Sequence, residues 1–168
     1  MTNNSEVVSG SAKAATAGRV LTGDVLVAGA VQAEKIVLGK PLSFWGGYDS
    51  QAGEIIDRTH PLVGHSLTSK IMVMAHAKGS SSSSSVLAEA IRNGTGPVGI
   101  VLRERDLIIS IGAIVAAELY NLDVPVVCLE AAAFDEVVSA SGPLRIEAVG
   151  GEGGARVYLD SRQALRTR

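Results

Sequence analysis

Six consecutive serines, Ser80 to Ser85, follow Lys78-Gly79 and run into the helix-like segment Val86-Leu-Ala-Glu-Ala-Ile-Arg92, which stops at Asn93-Gly94. Ahead of them lies the apolar run Lys70-Ile-Met-Val-Met-Ala-His-Ala77. The serines therefore sit where a strand hands over to a helix. The first turn of a helix leaves N–H groups without intrahelical partners, and its dipole places about half a positive charge there. A ligand phosphate or carboxylate could bind at such a turn, and so could the alkoxide of a serine, because the same N–H groups stabilise negative charge as it develops. Gly79 admits a close backbone approach that a side chain would block. The plainer alternative is that small polar residues only cap the helix and fill a turn.

Other groups offer chemistry with weaker patterns. His60, in Asp57-Arg-Thr-His-Pro61, and His65, in Val63-Gly-His-Ser66, are of a type that serves acid-base catalysis or metal binding, but loop histidines at this spacing more often reflect turns. His76 precedes the serine loop and could line the same pocket or be a strand residue satisfied by backbone. Asp49, Glu54 and Asp57 suggest turn formation first. Lys78-Gly-Ser lacks the upstream glycine of a P-loop, and no helix follows Gly150-Gly-Glu-Gly-Gly-Ala155 as a dinucleotide fingerprint requires. The serines also lack the Gly-x-Ser-x-Gly pattern of a hydrolase elbow.

The elements that must hold these residues read as follows. Short β-type runs, Arg19 to Thr22, Asp24 to Ala28 and Glu34 to Leu38, are separated by glycines, as for strands joined by turns. Pro41-Leu-Ser-Phe-Trp-Gly-Gly-Tyr-Asp49 holds the only Trp and one of the two Phe, and reads as a structured segment. Then come a strand at Ile71 to Ala75, a helix at Ser84 to Asn93, a strand at Val98 to Leu102, a helix at Ile109 to Leu119 and a strand at Val124 to Leu129. This alternation implies parallel pairing with right-handed crossovers. Arg145 to Val149 and Arg156 to Asp160 read as a hairpin around a glycine loop. Residues 1 to 17 read as a disordered tail, and Ser161 to Arg168 as frayed.

Bulk properties narrow the function classes. At 168 residues, with 46% apolar and 19% charged residues, the chain suits one soluble domain with a real core. A net charge of −2 without a basic cluster disfavours nucleic acid as a partner. The apolar stretch Leu107 to Ala117 is too short to span a membrane, and no secretory signal opens the chain, so a cytoplasmic location is expected. One cysteine, Cys128, cannot hold an iron-sulfur cluster, and any such cluster would take its ligands from another chain.

The segment Lys40-Pro-Leu-Ser-Phe-Trp-Gly-Gly-Tyr-Asp-Ser-Gln-Ala-Gly-Glu-Ile-Ile-Asp-Arg-Thr-His-Pro-Leu-Val-Gly64, with Gly79-Ser-Ser and Val86-Leu-Ala-Glu89, resembles the small, swivelling-domain subunit of the aconitase X family. Asp106-Leu-Ile-Ile-Ser-Ile-Gly-Ala-Ile-Val-Ala116 and Val124-Pro-Val-Val127 resemble it too, so the likeness covers Gly18 to the end. It implies an α/β fold, a swivelling β/β/α domain with a βαβαβ centre and flanking β-strands, over residues 18–168. It further implies one part of a hydro-lyase, active only with a large subunit that carries an iron or iron-sulfur centre and most contacts to a small hydroxy-acid substrate. On this resemblance Ser80, the first serine after the glycine, is the proton acceptor, and Gly79 and Ser81 adjoin the substrate. Similar enzymes dehydrate cis-3-hydroxy-L-proline, giving 1-pyrroline-2-carboxylate, or mevalonate 5-phosphate; the first is expected here. One departure is Ala75-His76, where the family often has a proline. Two other functions compete: a non-catalytic module that binds and orders a partner, and a stand-alone anion-binding domain.

Overall fold

A computed structural model describes residues 18–150 and 153–159. The expected N-terminal tail, the frayed C-terminus and the centre of the glycine loop lie outside these residues. The strands are β1 (Val20–Val27), β2 (Gly29–Ala33), β3 (Lys35–Leu38), β4 (Tyr48–Asp49), β5 (Glu54–Ile55), β6 (Ile71–Met74), β7 (Gly99–Leu102), β8 (Val126–Cys128), β9 (Leu144–Val149) and β10 (Gly154–Leu159). The helices are α1 (Phe44–Gly47, a single turn), α2 (Ser82–Arg92), α3 (Leu107–Tyr120) and α4 (Ala131–Ser139).

Eight strands follow the order β2-β9-β10-β1-β8-β7-β6-β3. One end is antiparallel (β2, β9, β10 and the first half of β1), and the other contains the parallel run β8-β7-β6-β3. Only Glu34 separates β2 from β3, yet they occupy opposite edges of this order, so the sheet folds over on itself. The result is two β-layers joined at two corners, one at β2–β3 and one along β1.

Period-two alternation in the parallel strands then generates two cores. Ile71, Val73, Val101 and Val127 point at Leu144, Ile146, Ala155 and Val157 of the antiparallel layer. Their neighbours Met72, Met74, Ile100, Leu102 and Val126 point the other way, at Leu87, Ile91, Ile109, Ala113 and Ala116 of α2 and α3. Strands buried on both faces read as continuous apolar runs, which is why Ile71–Met74 and Gly99–Leu102 show no polar position. The expected β/β/α layering and βαβαβ centre, β6-α2-β7-α3-β8, are present.

Three features depart from the sequence reading. Gly23 is no turn: β1 runs straight through it, pairing with β10 before and with β8 after. A side chain there would strike the Cys128 carbonyl and Leu129, so glycine serves the close approach of two strands. β2 was not expected, because Val31 is its one strong strand former; its pairing comes from β9. Nor was α4, whose Phe134 and Val137 are buried against the inter-sheet core. The Lys35 ammonium donates to the Val137 and Ala140 carbonyls, satisfying the end of that helix.

Candidate active site

The carboxyl ends of the parallel strands β6, β7 and β8 lie side by side, and the serine loop leaves from β6. Crevices outside such strand ends are where open α/β sheets usually bind ligands. The loop from Ala75 to Ser81 is held along its length. The Ala77 N–H donates to Asp106 Oδ2 (3.1 Å), and the Lys78 N–H donates to the Leu42 carbonyl (3.3 Å). Gly79 has φ +107°, a region that excludes most side chains, and a Cβ there would overlap Ser43 and lie 3.2 Å from Ser83 Oγ.

Beyond the loop, α2 begins at Ser82. Its preceding residue, Ser81, is in αR geometry and makes no side-chain cap. Ser80 and Ser81 are exposed, and the N–H groups of Ser80, Ser81 and Ser82 meet no acceptor among the described residues. Ser83 behaves differently. Its side chain is buried, its Oγ accepts from the Trp45 N–H (3.1 Å), and it lies 3.3 Å from Ser43 Oγ. The turn of α1 is thereby fastened to the first turn of α2, forty residues away in sequence. The Phe44 ring stacks edge-on against Tyr48 at 5.5 Å, and the Tyr48 hydroxyl donates to the Thr95 carbonyl (2.5 Å), anchoring that turn in the core.

Charge near the loop comes from Lys78, whose ammonium is 3.4 Å from Asp57 Oδ2. The Thr59 hydroxyl (2.7 Å) and N–H (2.9 Å) donate to the Asp57 carboxylate, and with Lys78 they hold it at about 2, below the usual 3.8. Asp57 is therefore a structural acceptor that ties its loop to the serine loop. Asp49 similarly accepts from the Gln51 and Ala52 N–H groups, as a turn former would, while Glu54 pairs in the short β4–β5 hairpin.

The three histidines separate. His60 is buried; its Nδ1 accepts from the Leu62 N–H (3.1 Å), leaving Nε2–H to donate to the Lys40 carbonyl (2.9 Å). It is a structural ring. His65 is exposed on a neighbouring turn, and His76 is half-buried with Nδ1 2.9 Å from the Ala77 carbonyl at the root of the serine loop. Sequence reasoning missed Asp106, Ser43 and Ser83. Asp106 carries a detectable signal, an N-cap residue ahead of an apolar helix; the serines carry none.

No three of His, Cys, Asp and Glu converge on one point among the described residues, and the Cys128 thiol is buried, 3.5 Å from the Arg103 carbonyl it donates to. The donors present do not fit an iron-sulfur cluster.

A β-sandwich layered with a parallel βαβαβ unit, and a glycine-serine loop at the parallel edge, defines the swivelling-domain class. Residues 20–153 match the family described as the aconitase X swivel domain, and the chain belongs to that family. It is 44% identical over 114 residues to the cis-3-hydroxy-L-proline dehydratase of Pseudomonas aeruginosa, an alignment covering 68% of this chain and 20% of that protein. Over 84 residues it is 42% identical to the phosphomevalonate dehydratase small subunit of Methanopyrus kandleri, covering 50% of this chain and 62% of that one. The crystal structure of Thermococcus kodakaraensis aconitase X in its holo form superposes with a TM-score of 0.68 at 29% identity, across 85% of this chain and 99% of that one. The chain thus spans about one fifth of the length of the cis-3-hydroxy-L-proline dehydratases it matches.

Proposed function

We propose that this chain is the swivelling part of a dehydratase and supplies the proton acceptor, Ser80, to an active site completed by a larger catalytic part that brings an iron centre. The observation that carries the reading is an exposed Ser80 beside free helix-terminal N–H groups, on a loop fixed at Ala77, Lys78 and Ser83. Gly79 and Ser81 on either side adjoin the substrate.

Serine is a poor base in water. Its alkoxide needs the N–H groups of Ser81 and Ser82 and the positive end of α2, in a space closed from solvent by the partner. In the dehydration of cis-3-hydroxy-L-proline the C2 proton passes to the Ser80 alkoxide as the C3–O bond breaks, and the hydroxide that leaves departs as water with the proton Ser80 then gives up; the C2=C3 double bond shifts to N=C2, the N–H proton moving to C3, to give 1-pyrroline-2-carboxylate. Among the described residues no donor set fits a cluster, so the larger part would hold the iron, which would supply Lewis acidity to the departing hydroxyl.

The imino acid is preferred because the relative of that name is 44% identical over 68% of this chain. Mevalonate 5-phosphate is the second reading, favoured by the relatives that are themselves separate small subunits. With the large part present, Ser80→Ala should lower kcat by about 10²–10⁴-fold, the range of a general base, while assembly persists. If kcat stays near normal and only subunit affinity falls, the chain is a binding module and Ser80 has no catalytic role. Assays with both substrates decide between them.

A further inference from the structure

Asp106 stands where two segments meet. It follows β7 and opens α3, and the stretch just before it is already tied to the end of β6: the Arg103 and Glu104 N–H groups both donate to the Ala75 carbonyl (3.1 and 3.0 Å). Its own backbone is fixed, because its carbonyl accepts from the Ser110 hydroxyl (2.7 Å) and N–H (3.1 Å), and Ser110 is buried in the next turn of α3. The side chain then divides its two oxygens. Oδ1 accepts from the Ile109 N–H (3.0 Å), which caps α3, and Oδ2 accepts from the Ala77 N–H (3.1 Å), which belongs to the serine loop.

A helix cap needs one acceptor, and serine, asparagine and aspartate supply it about equally well. Of these only aspartate carries two acceptor oxygens on one side chain. The second oxygen is therefore surplus to α3, and it is spent on a segment 29 residues earlier in the chain. Among the described residues no other side chain from outside the loop bonds the backbone of residues 75 to 79. Ser80 thus stands between two anchors, Asp106 on the β6 side and Ser83 on the α2 side, with only the longer bond from the Lys78 N–H to the Leu42 carbonyl (3.3 Å) between them. A reacting group misplaced by about 1 Å costs on the order of 10²-fold in rate.

We propose, resting on the dehydratase reading above for the work done by Ser80, that Asp106 is a positioning residue: by holding the Ala77 N–H it sets where Ser80 stands against the substrate.

Asp106→Ser separates the two bonds. Its hydroxyl can cap α3 in place of the carboxylate but is too short to hold Ala77 as well, whereas Asp106→Ala loses both. In the full chain, Asp106→Ser should melt close to the parent and speed hydrogen exchange at the Ala77 amide about tenfold or more, read by NMR, while the Ile109 amide stays protected. Asp106→Ala should expose both amides and melt lower. Asp106→Asn, which turns its amide N–H groups toward Ala77 when its oxygen caps Ile109, is a second variant expected to behave as Asp106→Ser does. Assembled with the larger part, Asp106→Ser should lower kcat about tenfold or more with KM within about twofold. The same change made on Ser80→Ala should cost less than about twofold, since a residue acting through Ser80 then has nothing left to place. A parent-like kcat for Asp106→Ser beside a slow Ser80→Ala leaves Ser80 as the base and overturns the proposal, as does an equal fold-loss with and without Ser80. A near-normal kcat for Ser80→Ala instead removes Ser80 as the base, and the Ala77 amide then decides by itself: fast exchange in Asp106→Ser keeps Asp106 as the anchor of the loop, and unchanged exchange removes it.

Discussion

Six identical residues in a row acquire different jobs through what each one touches. Ser80 faces solvent, whereas Ser83 is buried and receives the Trp45 N–H. Ser83→Ala removes the acceptor of that N–H at a part-buried position, a loss of about 0.5–1.5 kcal/mol. Because Trp45 is the only tryptophan, chemical denaturation followed by its fluorescence should show both the lost stability and a changed native spectrum. Exposed Ser85→Ala should stay within about 0.5 kcal/mol of the parent. The sequence reading singled out the run but could not separate Ser83 from its neighbours, since the distinction is made by Ser43 and Trp45 in a distant turn. Asp57 offers a test by pH. Its carboxyl is held at about 2 by Thr59 and Lys78, so the stability it contributes is present above about pH 4 and is lost as pH falls toward 2. Asp57→Asn should flatten the melting temperature across that window and leave the curve above pH 5 parallel to the parent's.

Helix α3 sets where the serine helix can sit. Asp106 opens it, accepting from the Ile109 N–H (3.0 Å) with one oxygen and from Ala77 with the other, so a single side chain caps α3 and fixes the root of the loop. One turn further, Gly112 lets α3 approach α2: an added Cβ would stand 2.9 Å from Leu87 Cδ2 and 3.0 Å from the Ser84 carbonyl. Alanine is the better helix former by about 1 kcal/mol. We expect the crowding to win nonetheless, because the Ser84 carbonyl belongs to the first turn of α2 and cannot yield without moving the serine loop. Gly112→Ala should lower the unfolding free energy by about 1 kcal/mol or more in a denaturant titration; a gain would show that α2 gives way freely. The elements that were legible share a property: long apolar runs in β6, β7 and α3, where local pattern and burial agree. β2 and α4 were illegible because each has one or two apolar anchors and depends on partners far along the chain, β9 for one and the inter-sheet core for the other.

Two β-layers and a helical layer place the serine loop at the rim formed by the carboxyl ends of β6, β7 and β8, while the antiparallel layer, facing away from α2 and α3, presents an Arg145–Glu147–Tyr158 network on its surface. No helix among the described residues is long and apolar enough to cross a membrane. Membership of the family was legible because the Pro41–Gly64 segment is distinctive; the doubling of the sheet was not, since it follows from one linking residue, Glu34, between strands that separate to opposite edges. The crossing strand β1 has a consequence for how the chain comes to be folded. Its second half can settle against β8 once the βαβαβ unit exists, but its first half is paired only when β10 arrives. During synthesis the first of the described strands would therefore wait, half partnered, for the last of them. Pairings so distant in sequence are the slow ones. The rim that bears the serines can thus take shape before the sandwich behind it has closed.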